Sequence, residues 1–545
     1  MKEKRLGNRH PVISFAYGEW ERLKEAFAGK SGSEHTGEVW IGTWEELLSC
    51  KPELAGKIHP EDSRYSDDYV MIEWEGSLML AGKSERAALY AVYRYAQEEW
   101  GAHWIYPGEA TVIVPDLNRC NKRGEVYSPR MERRGFVFET VNDAAYMKLM
   151  IDWLVKNGIN ELFFTFSLWD QIGGEIASSI VERGISITLG GHSLKFFLDN
   201  EREIPYSEAE HPYTSKRQVD FQSSDWQRLL ITKVISYCKH VPNLHRLSLW
   251  PEDVATGDAE GFLGAYVQFT EMLRDELLAA DVNVEVEHIV YNAGLSWSML
   301  ERAGSDTSHS VNTLLAYWGR DYSYGYEDSP HKSDARARRA LLDWDEALHR
   351  SGRKLTIFEY YSDHFMLSSL FPFIPRRIAE DMSYYESLRV HGIVNLVVPN
   401  LDKVADYPWK WAHQFNSYVF CRALWDDDIE RIMDDYYQYY APEERRAIRS
   451  LYEELERLLP QLSMWNIPLF PARAVDPEKA IAATEEWRER IVELLQDISG
   501  SVREQLRQPE IKEGSMPYRF GQHIVERADD LCRRWMKPGN EQPLG

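Results

Sequence analysis

Acidic side chains stand beside aromatic ones at three places where a run of apolar residues ends. The three segments are Trp250-Pro251-Glu252-Asp253, Trp318-Gly319-Arg320-Asp321-Tyr322 and Glu359-Tyr360-Tyr361-Ser362-Asp363. Hydrolysis of a glycosidic bond needs a carboxylic acid that protonates the leaving oxygen and a second carboxylate that attacks the sugar or activates water. Aromatic side chains add broad apolar faces on which sugar rings stack. The pattern therefore indicates carbohydrate chemistry, with Glu252, Asp321 and Glu359 as the candidate catalytic residues.

The neighbours of these carboxylates are candidates for binding the sugar. They are Trp250, Asp253, Trp318, Arg320 and Tyr360, with Asp363 and His364 in reserve. His192, which follows two glycines after another apolar run, could contact a sugar hydroxyl, although a lone histidine there more often shapes a loop. An acidic residue after a strand is also often only a helix N-cap or a surface charge. Three such residues beside aromatic ones are harder to explain in this way than one.

Other familiar catalytic motifs are missing from the sequence. It contains no HExxH, no closely spaced cysteine pair, no P-loop, no GxGxxG and no GxSxG. Histidines such as His288, His364 and His391 do not fall at the spacing of metal ligands. We therefore expect no metal and no cofactor, and a reaction other than phosphoryl, hydride or acyl transfer.

Eight apolar, β-rich runs alternate with amphipathic helical stretches in the middle of the chain. The runs are residues 135–138, 161–166, 185–189, 246–250, 282–291, 312–317, 354–358 and 392–398. This rhythm predicts a (β/α)8 TIM barrel. In that fold the active site is built at the carboxyl ends of the strands and in the loops that follow them. The candidate residues occupy such positions after the third, fourth, sixth and seventh runs.

The flanking regions have other patterns. Residues 1–130 mix short apolar runs with helical stretches, which predicts a small α+β domain and a linker, and residues 131–402 form the barrel. Residues 403–545 show only helical periodicity and should form a helical C-terminal domain. This domain could pack beside the barrel or form the interface of a homodimer. The expected fold class is α/β: a TIM barrel preceded by a small α+β domain and followed by a helical region.

Composition narrows the range of partners. The chain of 545 residues carries 63 Lys and Arg against 87 Asp and Glu, a net charge of −24 at pH 7 that opposes binding to a nucleic-acid backbone. Its five cysteines lie far apart, and it shows neither a secretory leader nor a long uncharged apolar run. We therefore expect no nucleic acid, no membrane and a cytoplasmic location. Aromatic residues make up 13% of the chain, which sugar binding and large cores explain equally well.

Two segments resemble the α-glucuronidases of glycoside hydrolase family 67 and related barrel proteins. Residues 80–108, LAGKSERAALYAVYRYAQEEWGAHWIYPG, are similar to the end of the small N-terminal domain of such glycosidases. Residues 416–428, NSYVFCRALWDDD, are similar to the family's C-terminal N-x-Y…R-L-x-W-D-P segment. The resemblance implies Glu252 as the general acid, Asp321 and Glu359 as the pair that activates water, and an inverting reaction.

Two positions differ from the family pattern. The family has a Lys where this chain has Ser248 and an Arg where it has Glu287. Both changes remove positive charge, which predicts a neutral or otherwise modified terminal sugar rather than glucuronate. The leading expectation is an intracellular, exo-acting glycoside hydrolase that trims an oligosaccharide substrate. The alternatives are an α-glucuronidase acting on side groups of xylo-oligosaccharides and a barrel that binds carbohydrate without turning it over.

Overall fold

The centre of the protein is a closed barrel of eight parallel strands. The computed structural model describes residues 10–28, 37–58, 63–108, 111–112, 124–198, 206–210, 217–219, 223–251, 259–292, 297, 299–301, 308, 310–363, 370–398, 409–465 and 485–536. The barrel strands, numbered first to eighth in chain order, are Arg133–Phe138, Glu161–Thr165, Ser186–Gly191, Leu244–Leu249, Glu285–Tyr291, Asn312–Ala316, Leu355–Asp363 and Gly392–Val398. Each predicted apolar run forms one of these strands, so the predicted fold class is confirmed.

Helices cover the outer face of the barrel. They are Ala144–Lys156, Phe166–Val181, Ser224–Cys238, Ala259–Ala279, Lys332–Ser351, Pro375–Ser387 and Trp409–Ala423. The first begins where the Asp143 side chain accepts a hydrogen bond from the Tyr146 N–H, and Thr165 caps the second in the same way. The third strand is followed by the short helix Leu194–Leu198 and by the paired strands Tyr206–Glu210 and Arg217–Val219.

The N-terminal region is a small mixed α+β unit. Its four-stranded sheet has the order Val39–Thr43, Ser77–Gly82, Tyr69–Trp74 and Val126–Tyr127, and a short pair joins Ala102–His103 to Thr111–Val112. Its helices are Pro11–Leu23, Lys24–Ala28, Trp44–Cys50, Pro52–Gly56 and Glu85–Trp100. A side chain at Gly82 would lie 2.2 Å from the backbone nitrogen of Ala88, so this glycine lets the last helix pack directly on the sheet.

A buried polar network joins this unit to the amino end of the barrel. Arg134, on the first strand, is fully buried and donates to Asp67 Oδ2 at 2.6 Å. Asn160 and Arg86 donate to the same carboxylate, at 2.8 Å and 2.9 Å. Burial alone would raise the pKa of Asp67, but Arg86 and Arg134 outweigh it and lower the pKa to about 2. The paired charges therefore fix the orientation of the N-terminal unit on the barrel.

The C-terminal region consists of helices packed beside the barrel. They are Ile429–Tyr437, Pro442–Leu458, Leu459–Trp465, Glu485–Leu506 and Met516–Met536. Helix Trp409–Ala423, which comes before them in the chain, contacts the barrel directly. Asn416 donates to the backbone oxygens of Tyr361 and Pro372, and Phe420 packs on Phe136. Of the two predicted roles, packing beside the barrel is thus observed, whereas the homodimer and the exact domain boundaries stay predictions. Among the described residues, no helix combines the length and apolar character that crossing a bilayer requires.

A layer of paired charges fills the amino half of the barrel. Arg133 donates to Glu161 and Glu287, at 2.6 Å and 2.7 Å, and Arg246 pairs with Glu161 and Glu285. Burial opposes ionisation of Glu161, but the two arginines outweigh it and lower its pKa to about 2. Glu287 is thus neutralised deep in the barrel. The difference from the family at this position therefore does not alter the charge that a substrate at the carboxyl end would meet.

Candidate active site

Aromatic rings close the barrel above the charged layer. The Trp250 ring lies 5.2 Å from Phe163 and 5.4 Å from Phe358, measured between ring centroids. These three residues belong to non-neighbouring strands or strand ends, so their side chains must meet across the interior. The indole N–H of Trp250 donates to Ser248 Oγ at 2.9 Å, which uses the hydroxyl of that buried residue. These rings pack together inside the carboxyl half of the barrel, and the space between them and the strand ends is called the mouth below.

Two further predicted sugar-binding residues lie beside Trp250 at the mouth. His192 lies 5.3 Å from the Trp250 ring, and its Nδ1 is 2.7 Å from the carbonyl oxygen of Pro251. Since a carbonyl only accepts hydrogen bonds, Nδ1 is the donor. The partly exposed ring of Tyr360 lies 5.0 Å from Phe358. The structure therefore brings His192, Trp250 and Tyr360 together around one aromatic floor.

A carboxylate is turned into the mouth by an irregularity in the seventh strand. Glu359 pairs with Asn395, and Ser362 pairs with Val397. An interval of three residues on the seventh strand therefore lies opposite an interval of only two residues on the eighth. One extra residue of this kind is a β-bulge, which changes the side that the following side chains face. Ser362 contacts Ser417 on an outer helix, whereas Asp363 accepts a hydrogen bond at 2.9 Å from the indole N–H of Trp318.

Trp318 is itself held on both sides of its backbone. The side chain of Asn292 donates to the Trp318 carbonyl at 2.8 Å and accepts from the Trp318 N–H at 3.1 Å. Asn292 follows the fifth strand directly, and Trp318 follows the sixth by two residues. These contacts connect the ends of the fifth, sixth and seventh strands. Asp363 is therefore fixed by a chain of hydrogen bonds that begins two strands away.

A second carboxylate of the mouth belongs to Glu139, directly after the first strand. Its backbone oxygen accepts from Thr165 Oγ1 at 3.2 Å. Its carboxylate oxygen lies 3.7 Å from the position that a Cβ of Gly191 would occupy, beside Thr165. Gly191 has a φ of +69°, a conformation that a side chain would strain. Glu139 is not among the candidates predicted from the sequence, although it follows an apolar run directly, as Glu359 does.

Two of the predicted catalytic residues lie on the outside of the barrel wall. Glu359 accepts from the hydroxyls of Tyr322, at 2.8 Å, and Tyr385, which faces the barrel from helix Pro375–Ser387. Asp321 contacts His331 Nε2 at 2.9 Å and accepts from Ser463 Oγ at 3.2 Å. These contacts contradict the prediction that Asp321 and Glu359 converge in the mouth. The physical reason is that strand seven continues past Glu359, which is therefore an outward-facing residue in mid-strand.

The other predicted residues have separate outcomes. Arg320 is fully buried and donates to both oxygens of Asp381, so the prediction that it contacts the substrate is contradicted. Glu252, Asp253 and His364 lie outside the described residues, and their roles stay predictions. Within the described part of the chain, no group of three or more His, Cys, Asp and Glu side chains could hold a metal ion.

Known proteins provide an independent comparison for this arrangement. No protein-family model and no curated protein sequence matches the chain. An enzyme of glycoside hydrolase family 138 that targets pectin rhamnogalacturonan II superposes with a TM-score of 0.56 at 11% identity, over 97% of this chain and 69% of that one. The chain has the fold of glycoside hydrolases.

Two further structures support the same conclusion about the fold. A family 89 glycoside hydrolase from Clostridium perfringens superposes with a TM-score of 0.51 at 10% identity, over 97% of this chain and 63% of that one. The protein CpGH84D superposes with a TM-score of 0.50 at 11% identity, over 97% of this chain and 90% of that one. In all three comparisons the match extends beyond the barrel to the flanking regions, because it covers nearly the whole chain.

Proposed function

We propose that the protein is a glycoside hydrolase that removes a terminal sugar from an oligosaccharide bound in the mouth. The observation that carries the proposal is the placement of Asp363. A bulge directs this carboxylate to the side of the seventh strand that carries Phe358 and Tyr360, and the Trp318 indole N–H holds it there. A fixed carboxylate beside aromatic faces is what glycosidic hydrolysis requires. The fold shared with glycoside hydrolases of three families adds support.

The reaction needs two carboxyl groups with different roles. Asp363 serves as the carboxylate that activates water, because the hydrogen bond from the Trp318 indole fixes its position. Glu252, next in sequence to the Pro251 that touches His192, is the proposed general acid. Glu139, two strands from Asp363, is the proposed partner of the sugar hydroxyls. The proposed reaction is inverting and exo-acting.

The proposed substrate carries a neutral terminal sugar. Arg320, the cation nearest to the predicted site in sequence, is bound to Asp381 and cannot pair with a uronate. The described side chains assigned above to the mouth include two acidic ones, Glu139 and Asp363, and no Lys or Arg. A buried uronate without a cation would be strongly disfavoured there. A glucuronate substrate would therefore need a cation outside the described residues.

The proposal is tested by hydrolysis of aryl glycosides and natural oligosaccharides. Asp363→Asn should lower kcat by about 10²- to 10⁴-fold, and Glu252→Gln should do so only for substrates with poor leaving groups. Asp321→Asn is the matched control: it removes a buried carboxylate of the neighbouring loop, and kcat should change little. If wild-type protein binds sugars without hydrolysing any glycoside, the protein is a binding barrel and the proposal is wrong. If only glucuronides are cleaved, the neutral-sugar assignment is wrong.

A further inference from the structure

A buried cluster centred on Arg320 lies directly behind the mouth. The two terminal nitrogens of Arg320 donate to the two oxygens of Asp381, each at 2.7 Å. The same guanidinium lies 3.5 Å from Glu359 and 4.1 Å from the centre of the Tyr326 ring. Such a two-point pair with an overlying ring fixes both the position and the plane of the arginine. The cluster joins the loop after the sixth strand to helix Pro375–Ser387.

Tyrosine hydroxyls complete the hydrogen bonding of the two acidic residues. Tyr361 donates to Asp381 at 2.9 Å, and Tyr322 donates to Glu359 at 2.8 Å. Tyr385 donates to the other oxygen of Glu359. Both carboxyl groups are nearly inaccessible to solvent. Among the described residues Arg320 Nε has no hydrogen-bond partner, but both terminal nitrogens of Arg320 are paired with Asp381. A displacement of the guanidinium would therefore leave several buried polar atoms unpaired.

The chain connects this cluster to the mouth at two points. Arg320 follows Trp318 with only Gly319 between them, and Gly319 has a φ of +115° that turns the chain from the mouth to the outside. Glu359 precedes Asp363 on the seventh strand, across the bulge. Trp318 and Asp363 are the hydrogen-bonded pair at the mouth. Each member of the pair is thus anchored to a member of the cluster.

We infer that Arg320 is a positioning residue: it aligns the Trp318 indole with Asp363 by clamping the sixth-strand loop and the seventh strand to helix Pro375–Ser387. The inference rests on the proposed function and adds to it the group that sets the geometry of the catalytic carboxylate. A small displacement of a reacting group costs up to about 100-fold in rate. Loss of the clamp should therefore appear in kcat rather than in KM, because the substrate contacts themselves remain.

The test uses full-length protein with fluorotryptophan, whose Trp318 signal in the fluorine NMR spectrum is assigned by its loss in Trp318→Phe. Arg320→Lys keeps the charge but loses the two-point pair. It should shift or broaden the Trp318 signal and lower kcat by about 10- to 100-fold with little change in KM. In the Trp318→Phe background the same substitution should cost far less, because both act on Asp363. Arg338→Lys, whose side chain pairs with Glu327 on the outer surface of the same loop, is the control and should change neither.

The outcomes separate positioning from stability. If folded Arg320→Lys protein leaves the Trp318 signal unchanged, or if its loss in kcat is additive with that of Trp318→Phe, the inference is wrong. If wild-type protein hydrolyses no glycoside, the proposed function fails, while the NMR signal still decides whether Arg320 positions Trp318. Should Arg320→Lys fail to fold, Tyr385→Phe removes one hydroxyl from the cluster, and the same shift of the Trp318 signal is expected.

Discussion

Glu359 and Asp363 lie on the same strand but have opposite surroundings. Asp363 faces the mouth and accepts from an indole, whereas Glu359 is enclosed by an arginine, an aspartate and tyrosine hydroxyls. Burial is the main reason that the pKa of Glu359 is raised, with Asp381 adding repulsion and Arg320 opposing both. The first residue is placed for chemistry and the second for structure, although the sequence shows only two acids beside tyrosines.

The raised pKa of Glu359 gives a prediction about stability. The folded protein holds this proton more tightly than the unfolded chain, in which the Glu359 carboxyl has its ordinary pKa of 4.5. The contribution to folding is therefore fully present below that value and is lost as the pH rises through the folded pKa. A glutamine at this position does not titrate, so Glu359→Gln should remove this pH-dependent loss of stability. As the pH rises from about 4 upward, the melting temperature of the variant should therefore fall less than that of wild type. Glu380→Gln, an exposed substitution on the same outer helix, should keep the wild-type slope; parallel curves for Glu359→Gln and wild type would contradict the prediction.

At the scale of the element, the strand ends decide which residues meet. All eight strands were predictable because buried parallel strands read as short apolar runs. The end of the seventh strand was not. Its apolar run stops at Phe358, yet pairing continues to Asp363, because Glu359 finds polar partners on the outer side of the wall. A sequence gives no sign of such partners, so it places Glu359 at the strand end and leaves Asp363 as a secondary candidate.

The link between the fifth and sixth strands also gives a prediction. Asn292→Asp keeps the size of the side chain and its acceptor for the Trp318 N–H, but it replaces the donor to the Trp318 carbonyl by a second acceptor. Leaving that carbonyl unpaired in a buried site should lower the free energy of unfolding by about 1–3 kcal/mol and should reduce kcat through Trp318. Denaturant titration and steady-state kinetics measure the two effects. Asn142→Asp, at an exposed hydrogen bond, should be neutral in both; an equally neutral Asn292→Asp would show that Trp318 is held by other contacts.

At the scale of the whole molecule, the two ends of the barrel have different tasks. The mouth collects the groups proposed for chemistry, while the amino end carries the paired charges of the interior and the junction with the N-terminal unit. Both flanking regions were predictable from the sequence, since their periodicity differs from that of the barrel. The ionic layer was not predictable, because Arg133, Glu161 and Arg246 are far apart in sequence and only closure of the barrel brings them together. The pairing of Glu287 with Arg133 was not predictable for the same reason.

The junction at the amino end should therefore affect stability without affecting catalysis. Asp67 accepts from Arg134, Asn160 and Arg86 while fully buried, and Asp67→Asn would leave two arginines without their counter-charge. Removing one partner of a buried ion pair costs about 3–5 kcal/mol, and denaturant titration at pH 7 should show a loss of that size. Since the pKa of Asp67 is lowered to about 2, its contribution is present above the unfolded value of 3.8 and disappears as the pH falls toward 2. The difference between wild type and variant should accordingly shrink over that interval, while kcat per folded molecule at pH 7 stays unchanged. A fall in kcat at full folding would mean that the N-terminal unit acts on the mouth through the barrel.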